Sequence, residues 1–256
     1  MPAYDFLIDG MTFSYSNLSS FNNCKYGWYL NYIDAEESVQ NFFAQYGLLI
    51  HETLEKYWKK ELDKNKLLWY YETNYFKKVV EYPPIYPRNM GEAYYKSGAE
   101  FFENPIVDRN EYDIIFIEEK IISEHGGKSI VVKPDLLVRN IKTGNVVLMD
   151  YKTSKPIKGE NFDMEKMDGY IKQLMLYKYF IEKERNLKID RIEILFIRLR
   201  KIYTIEMTPK LMNDTIDWLD KTLVEISMEE DFIANPSNKY FCSNLCGVRN
   251  SCKFWR

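Results

Sequence analysis

From residue 111 to residue 152 the chain abandons any helical period and runs through three apolar stretches, "DIIFIEEKIIS", "SIVVKPDLLVR" and "NVVLMDYKT". Their β-branched residues favour extended backbone. Only "EHGGK" and "NIKTGN" separate them, glycine-bearing linkers short enough to turn a strand straight back on its neighbour. Three strands so joined make an antiparallel meander. Helical patterns lie on both sides of this block, so its faces must be covered by helices, which is the α/β class with a mixed central sheet.

The flanking patterns can be placed. "FSYSNLSSFNNCKYGWYLNYI" reads as a short extended lead-in, a Ser or Asn cap and a helix containing Leu18, Phe21, Tyr29 and Tyr32, with Cys24 inside it. "NFFAQYGLLIHETLEKYWKKEL" sets Phe43, Gly47, Ile50, Leu54 and Trp58 at helical spacing, with His51 at the edge of the stripe. Residues 63–110 are largely helical and broken at Pro83, Pro84 and Pro87. After the meander, "EKMDGYIKQLMLYKYFIEKE" is a helix and "RIEILFIRLRKIYTIEMT" one or two strands. Thr208 as cap and Pro209 in the first turn open a last long helix. With no internal repeat and no low-complexity linker, one integrated domain is expected.

The third strand ends on Asp150 and Lys152, which share a face because side chains alternate along a strand. If Thr143 and Gly144 form a two-residue turn, Asp135 lies opposite Lys152 and Leu137 opposite Asp150, so Asp135, Asp150 and Lys152 cluster on one side of the sheet. Two close carboxylates repel and favour a cation between them, and hard oxygen ligands suit Mg²⁺ or Mn²⁺. Such a site, with a lysine to orient water or offset charge, has the parts for phosphodiester hydrolysis.

"KPDLLV" followed by "VVLMDYKTSK" resembles the PD-(D/E)xK nuclease superfamily, and in particular its RecB-type branch, whose motif reads D-x-K with a tyrosine between. "GLLIHETLEKY" looks like that branch's glycine–histidine helix, "GYIKQLMLYKYF" like its Q-x-x-x-Y helix, and "SYSNLSSFNNC" like its N-terminal helix. The matches fall in order from residue 14 to residue 252. The resemblance implies a restriction-endonuclease-like core in a single nuclease domain over residues 1–256: a helical part at about 14–110, a catalytic core at about 111–208, and a C-terminal helix with cysteine-rich tail at 209–256. It implies His51, Asp135 and Asp150 as metal ligands, Lys152 as the assistant to the attacking water, and Gln173 and Tyr177 near the site or the DNA. The implied activity is Mg²⁺- or Mn²⁺-dependent cleavage of single-stranded DNA or DNA ends, alone or lent to a helicase, recombinase or CRISPR integrase. A non-catalytic DNA-binding subunit is the alternative.

Four cysteines, Cys24 alone and Cys242, Cys246 and Cys252 as a C-x3-C-x5-C tail, can hold a [4Fe–4S] cluster or a tetrahedral Zn²⁺. The tail resembles that of RecB-type nucleases carrying an iron–sulfur cluster, among them the nuclease subunit of AddAB complexes and the nuclease of CRISPR spacer acquisition. Those usually read C-x2-C-x5-C, so the extra residue between Cys242 and Cys246 is a departure. Either metal would clasp the N- and C-terminal segments together.

The net charge of -3 gives no global attraction to a polyanion, so DNA binding must rest on local patches. Lys152, Lys155 and Lys158, the run Arg198, Arg200 and Lys201, and the 21 tyrosines supply candidates. "HGGKS" imitates a phosphate-binding loop but has Ile122 where the first glycine must stand, which excludes nucleotide hydrolysis by that route. His125 in the same turn is expected to be exposed. No apolar run reaches the ~20 residues of a membrane helix, and the acidic start "MPAYDFLIDG" is unlike a secretory signal, so no membrane contact and a cytoplasmic location are expected.

Overall fold

The computed structural model describes residues 4–85 and 88–255, which leaves Pro87 of the expected helix break outside the described residues. The chain opens with α1 (Asp5–Asp9), β1 (Thr12–Ser14), α2 (Tyr15–Asn23) and α3 (Lys25–Tyr32), followed by α4 (Phe42–Trp58), α5 (Leu67–Lys78) and α6 (Met90–Glu103). The strand block comprises β2 (Tyr112–Ile117), β3 (Ile121–His125), β4 (Lys128–Val132), β5 (Leu136–Asn140) and β6 (Val146–Lys152). A small hairpin, β7 (Ile157–Lys158) and β8 (Asn161–Phe162), leads into α7 (Met164–Arg185). Strands β9 (Arg191–Phe196) and β10 (Lys201–Thr204) precede α8 (Pro209–Met228), and a short α9 (Lys239–Asn244) lies in the tail.

The main sheet has the order β10-β9-β6-β5-β2. Strand β6 is therefore central, antiparallel to β5 and parallel to β9, so the sheet is mixed as expected. It is covered on both faces. Leu136, Val138, Val147, Met149 and Tyr151 turn to a core built with α4, α5 and α6. Leu137, Leu148, Ile192, Ile194 and Phe196 turn to a second core with α2, α7 and α8. Burial on both faces explains why β6 reads as an unbroken apolar run rather than an alternation.

Two of the three expected strands are each divided. "DIIFIEEKIIS" breaks at Glu118, whose φ of 51° is left-handed, a conformation costing a non-glycine residue about 1 kcal/mol. Its inner half, β2, stays in the main sheet, while β3 joins a three-stranded sheet of order β1-β4-β3. "SIVVKPDLLVR" divides the same way into β4 and β5. The result is one long hairpin bent in the middle. Its tip is the Gly126–Gly127 turn, where φ values of 56° and 75° require glycine. The "IKTGN" turn is longer than a two-residue loop: Leu136 pairs with Met149 and Leu137 with Leu148, two positions from the expected register. Asn140 organises the turn by accepting from the Lys142 and Thr143 amides through Oδ1.

The N-terminal helix is likewise two helices. Cys24 stands between α2 and α3 in extended backbone and caps α3, its Sγ accepting from the Gly27 amide. His125 is not exposed. Its side chain is 14% accessible, set edge-on against Tyr179 and Phe180, with Nε2 2.6 Å from Asp220 Oδ1. Among the described residues, no helix is long and apolar enough to cross a membrane.

Packing in the helical layer is close enough to test. A Cβ on Gly98 of α6 would lie 2.4 Å from Tyr71 Oη and 2.5 Å from its Cζ, and Tyr71 is fully buried. With no room for the ring to move, Gly98→Ala is expected to destabilise the protein by about 1–3 kcal/mol, read from the denaturant midpoint.

Candidate active site

The bend in the long hairpin and the end of β6 meet at one place. Asp135 precedes β5, and continuing the β5–β6 register sets it level with Asp150. The expectation placed it against Lys152, but the shift is an even number of residues, so the facing side chains are unchanged. Asp135 is 8% exposed and Asp150 2%. Asp135 Oδ2 accepts from the Tyr151 amide at 2.7 Å, which ties the carboxylate to the backbone between Asp150 and Lys152.

His51 reaches this point from α4. Its Nε2 is 3.2 Å from the Tyr151 carbonyl oxygen, and its Nδ1 is 3.3 Å from Asp135 Oδ1 and 3.7 Å from Glu118 Oε1. A proton on Nε2 donated to that carbonyl leaves the Nδ1 lone pair directed at the carboxylates. His51, Glu118 and Asp135 present ligand atoms all within 4.8 Å of one another, a spacing one cation can bridge.

Glu118 is a candidate ligand absent from the sequence reading, although its signal is present in the strand register. Pairing from the Gly126–Gly127 turn runs His125 with Lys128, Ile121 with Val132 and Ile117 with Leu136, and the same register carries Glu118 to Asp135. The Glu118 amide donates to the Asp135 carbonyl oxygen at 3.1 Å. Lys133 Nζ holds the other carboxylate oxygen of Glu118 at 2.5 Å.

Lys152 lies on the opposite side of Asp150. Its Nζ is 2.7 Å from Asp150 Oδ2 and donates to Gln173 Oε1 at 3.0 Å, while Gln173 Nε2 donates to Tyr177 Oη at 2.9 Å. The Gln-x-x-x-Tyr pair of α7 thus buttresses the lysine. The Tyr170 ring lies 5.1 Å beneath the ammonium. Lys152 is the partner of Asp150 Oδ2, an oxygen otherwise buried.

The charges are strongly coupled. Burial pushes the Asp150 carboxyl up to about 6, with Lys152 opposing and Asp135 adding to the rise. Burial also pushes Asp135 up, but His51, Lys152 and the Tyr151 amide outweigh it and hold the group below the usual carboxylate range. For His51, burial works against the charged form, yet Asp135 and Glu118 overcome it and raise the imidazole to about 10. Burial opposes the Lys152 charge too, and Asp150 and Asp135 reverse that, keeping it a cation. The carboxylates of Glu118 and Asp135 with the His51 imidazole form a donor set that fits Mg²⁺ or Mn²⁺, and the Asp150 carboxylate, paired with Lys152, adjoins it.

Cys24 is far in sequence from Cys242, Cys246 and Cys252, but all four line one pocket, where the α2–α3 junction meets the C-terminal tail. All four are free thiols. Burial raises the Cys242 and Cys246 thiols above their usual value, with neighbouring cysteines adding to the effect.

A mixed sheet that carries paired carboxylates and a lysine at a bent hairpin, with a histidine from a preceding helix, has the core of a nuclease-class α/β fold. The chain belongs to the PD-(D/E)XK nuclease superfamily, whose family model matches residues 12–253. A search of curated proteins finds no match. Among solved structures, a protein from Eubacterium rectale provisionally named as an exonuclease aligns with 98% of this chain and 92% of its own, at 14% identity and a TM-score of 0.58. That likeness shows the fold. SSO0001 aligns with 82% of this chain and 96% of its own at 14% identity, with a TM-score of 0.36, too low to argue from.

Proposed function

We propose that this protein is a divalent-metal-dependent deoxyribonuclease acting as an exonuclease on single-stranded DNA or DNA ends. The observation that carries this reading is the grouping of His51, Glu118 and Asp135, whose ligand atoms lie within 4.8 Å of one another, with the Asp150–Lys152 pair at the end of β6 beside them. Glu118 joins His51, Asp135 and Asp150 as a metal ligand. When bound, Mg²⁺ or Mn²⁺ supplies a water of lowered pKa and neutralises charge on the phosphoryl oxygens. Lys152, held cationic by its two aspartates, orients the attacking water and offsets charge that develops in the transition state. Gln173 fixes the ammonium and Tyr177 fixes Gln173, limiting the rotamers an exposed lysine would explore.

The test is cleavage of end-labelled single- and double-stranded DNA with Mn²⁺, beside a chelator control. Metal-dependent shortening from an end supports the reading. No cleavage by folded, metal-loaded protein would shift the weight to a partner-dependent or DNA-binding subunit of a larger nuclease.

Two further outcomes follow from the ligand set. Glu118→Gln is expected to raise the Mn²⁺ concentration for half-maximal rate by about 10-fold, leaving the saturated rate nearly unchanged. Because His51 is protonated below about pH 10 when no cation is bound, and the cation must displace that proton, apparent Mn²⁺ affinity should rise from about pH 6 to about pH 9. Calorimetry in buffers of different ionisation enthalpy would read the released proton.

The pocket shared by Cys24, Cys242, Cys246 and Cys252 supports a structural [4Fe–4S] cluster, with Zn²⁺ as the alternative, binding the chain ends to one nuclease domain. The work of the enzyme falls in DNA recombination and repair, phage DNA metabolism or CRISPR adaptation, alone or with a helicase, recombinase or integrase. Its place is the cytoplasm.

A further inference from the structure

Three cations follow β9, and they are used differently. Arg200 is committed to the fold, donating from its guanidinium to the Asn104 carbonyl oxygen at 2.9 Å. Lys201 is exposed at the start of β10. Arg198 is neither spent nor free in water. It is half-buried in the 3-10 turn Ile197–Leu199, its guanidinium carbon lies 3.5 Å from the centroid of the Tyr94 ring, and its Nε is enclosed with no hydrogen-bond partner among the described residues. An enclosed N–H of a charged group costs free energy unless something accepts from it.

A second cation stands beside it. Lys155 lies three residues beyond Lys152 and Arg198 two beyond Phe196, at the ends of adjacent parallel strands, and burial with the Arg198 charge lowers the Lys155 ammonium below its usual value. Glu100 opposes this only from an exposed position on α6. Two neighbouring cations match an anion supplied from outside the chain, which the guanidinium meets through its outer nitrogens because Nε itself is enclosed.

Their place in the fold says which anion. Strands β6 and β9 are parallel, with Lys152 opposite Phe196, so Lys155 and Arg198 leave the sheet at the same end as Asp150 and Lys152. Tyr170 lies between the two strand ends: its ring is under Lys152 and packs 6.1 Å from Phe196, two residues before Arg198.

We propose that Arg198 and Lys155 form a phosphate-binding subsite that grips a backbone phosphate of the substrate strand flanking the scissile one. Tyr94 holds the guanidinium plane in place by cation–π contact, leaving its donor edge for the phosphate oxygens, where a planar fork binds better than an ammonium. The inference rests on the nuclease reading and adds how the strand is held.

The experiment measures binding of a fluorescent single-stranded oligonucleotide by anisotropy across a KCl series, without added divalent cation, for wild type, Arg198→Gln, Arg198→Lys and Lys155→Gln. Cleavage rates with Mn²⁺ accompany it. Arg198→Gln is expected to weaken binding about tenfold or more and to make the plot of log affinity against log salt shallower by about 0.7, the value of one lost single-strand phosphate contact. Lys155→Gln, at an exposed position, should flatten the slope by a similar amount without disturbing packing. Arg198→Lys should keep most of the slope and lose affinity. KM should rise in all three with kcat little changed. Unaltered affinity and slope in both glutamine variants of a wild type that cleaves DNA would overturn the subsite alone, and should Arg198→Gln misfold, Lys155→Gln decides. A wild type that neither binds nor cleaves would overturn the nuclease reading and the subsite with it.

Discussion

Lys152→Ala is expected to lower DNA cleavage by about 10²–10⁴-fold while leaving the fold and cation binding in place. The lysine's contacts suit positioning: Asp150 at 2.7 Å, Gln173 at 3.0 Å and the Tyr170 ring below. Alanine removes the charge but spares the His51, Glu118 and Asp135 trio, so Mn²⁺ titration of the variant should still saturate. Rate and binding therefore separate two roles. A variant that binds Mn²⁺ and still cleaves at the wild-type rate would make Lys152 only the structural partner of Asp150. A loss of both would mean that an unpaired Asp150, already raised by burial, disrupts the site as a whole.

Removal of the metal held by the four cysteines, or Cys246→Ala, is expected to lower Tm by on the order of 10 °C and to expose the C-terminal segment to proteolysis. Residues 229–255 are held thinly for their length. Only Phe232, packed on Tyr4, Trp28 and Tyr29, and Val248 are buried hydrophobics of this segment, and the Phe254–Tyr26 edge contact, Val39 N to Gly247 O, Asn41 Nδ2 to Leu245 O and the Lys25–Glu229 ion pair are among its other ties. Cross-linking the segment to the α2–α3 junction supplies what such a sparse interface lacks. Iron would show by visible absorbance and zinc by elemental analysis. Metal removal without any change in Tm or proteolysis would sink the structural role.

Several features could be read from the chain because they rest on local chemistry. The apolar runs of β5 and β6, the capped start of α8 at Thr208 and Pro209, and the Asn41-led amphipathic α4 all appear close to where periodicity and capping put them. His51, Asp135, Asp150, Lys152 and Gln173 meet in space as their motifs implied, and the four cysteines share a pocket. The errors share a cause. The division of two strands at Glu118 and Asp135, the break of the N-terminal helix at Cys24 and the burial of His125 against α7 and α8 depend on partners distant in sequence. The "IKTGN" loop was mistaken for a two-residue turn because glycine and asparagine suit several turn lengths.

The sequence by itself determined the α/β class, the broad succession of helical and strand blocks and the candidate site groups, because side-chain period, capping and motif spacing are properties of neighbouring residues. It also determined that Asp135, Asp150 and Lys152 share a face, since a register shift of two preserves the side of the sheet. Only the tertiary structure decided that Glu118 enters the site, that Gln173 and Tyr177 brace Lys152, and that Arg200 is committed to a backbone carbonyl while Arg198 lies against the Tyr94 ring. Those outcomes depend on which carboxylate, carbonyl or ring the fold brings within about 3–4 Å, the range over which hydrogen bonds and close ion pairs act.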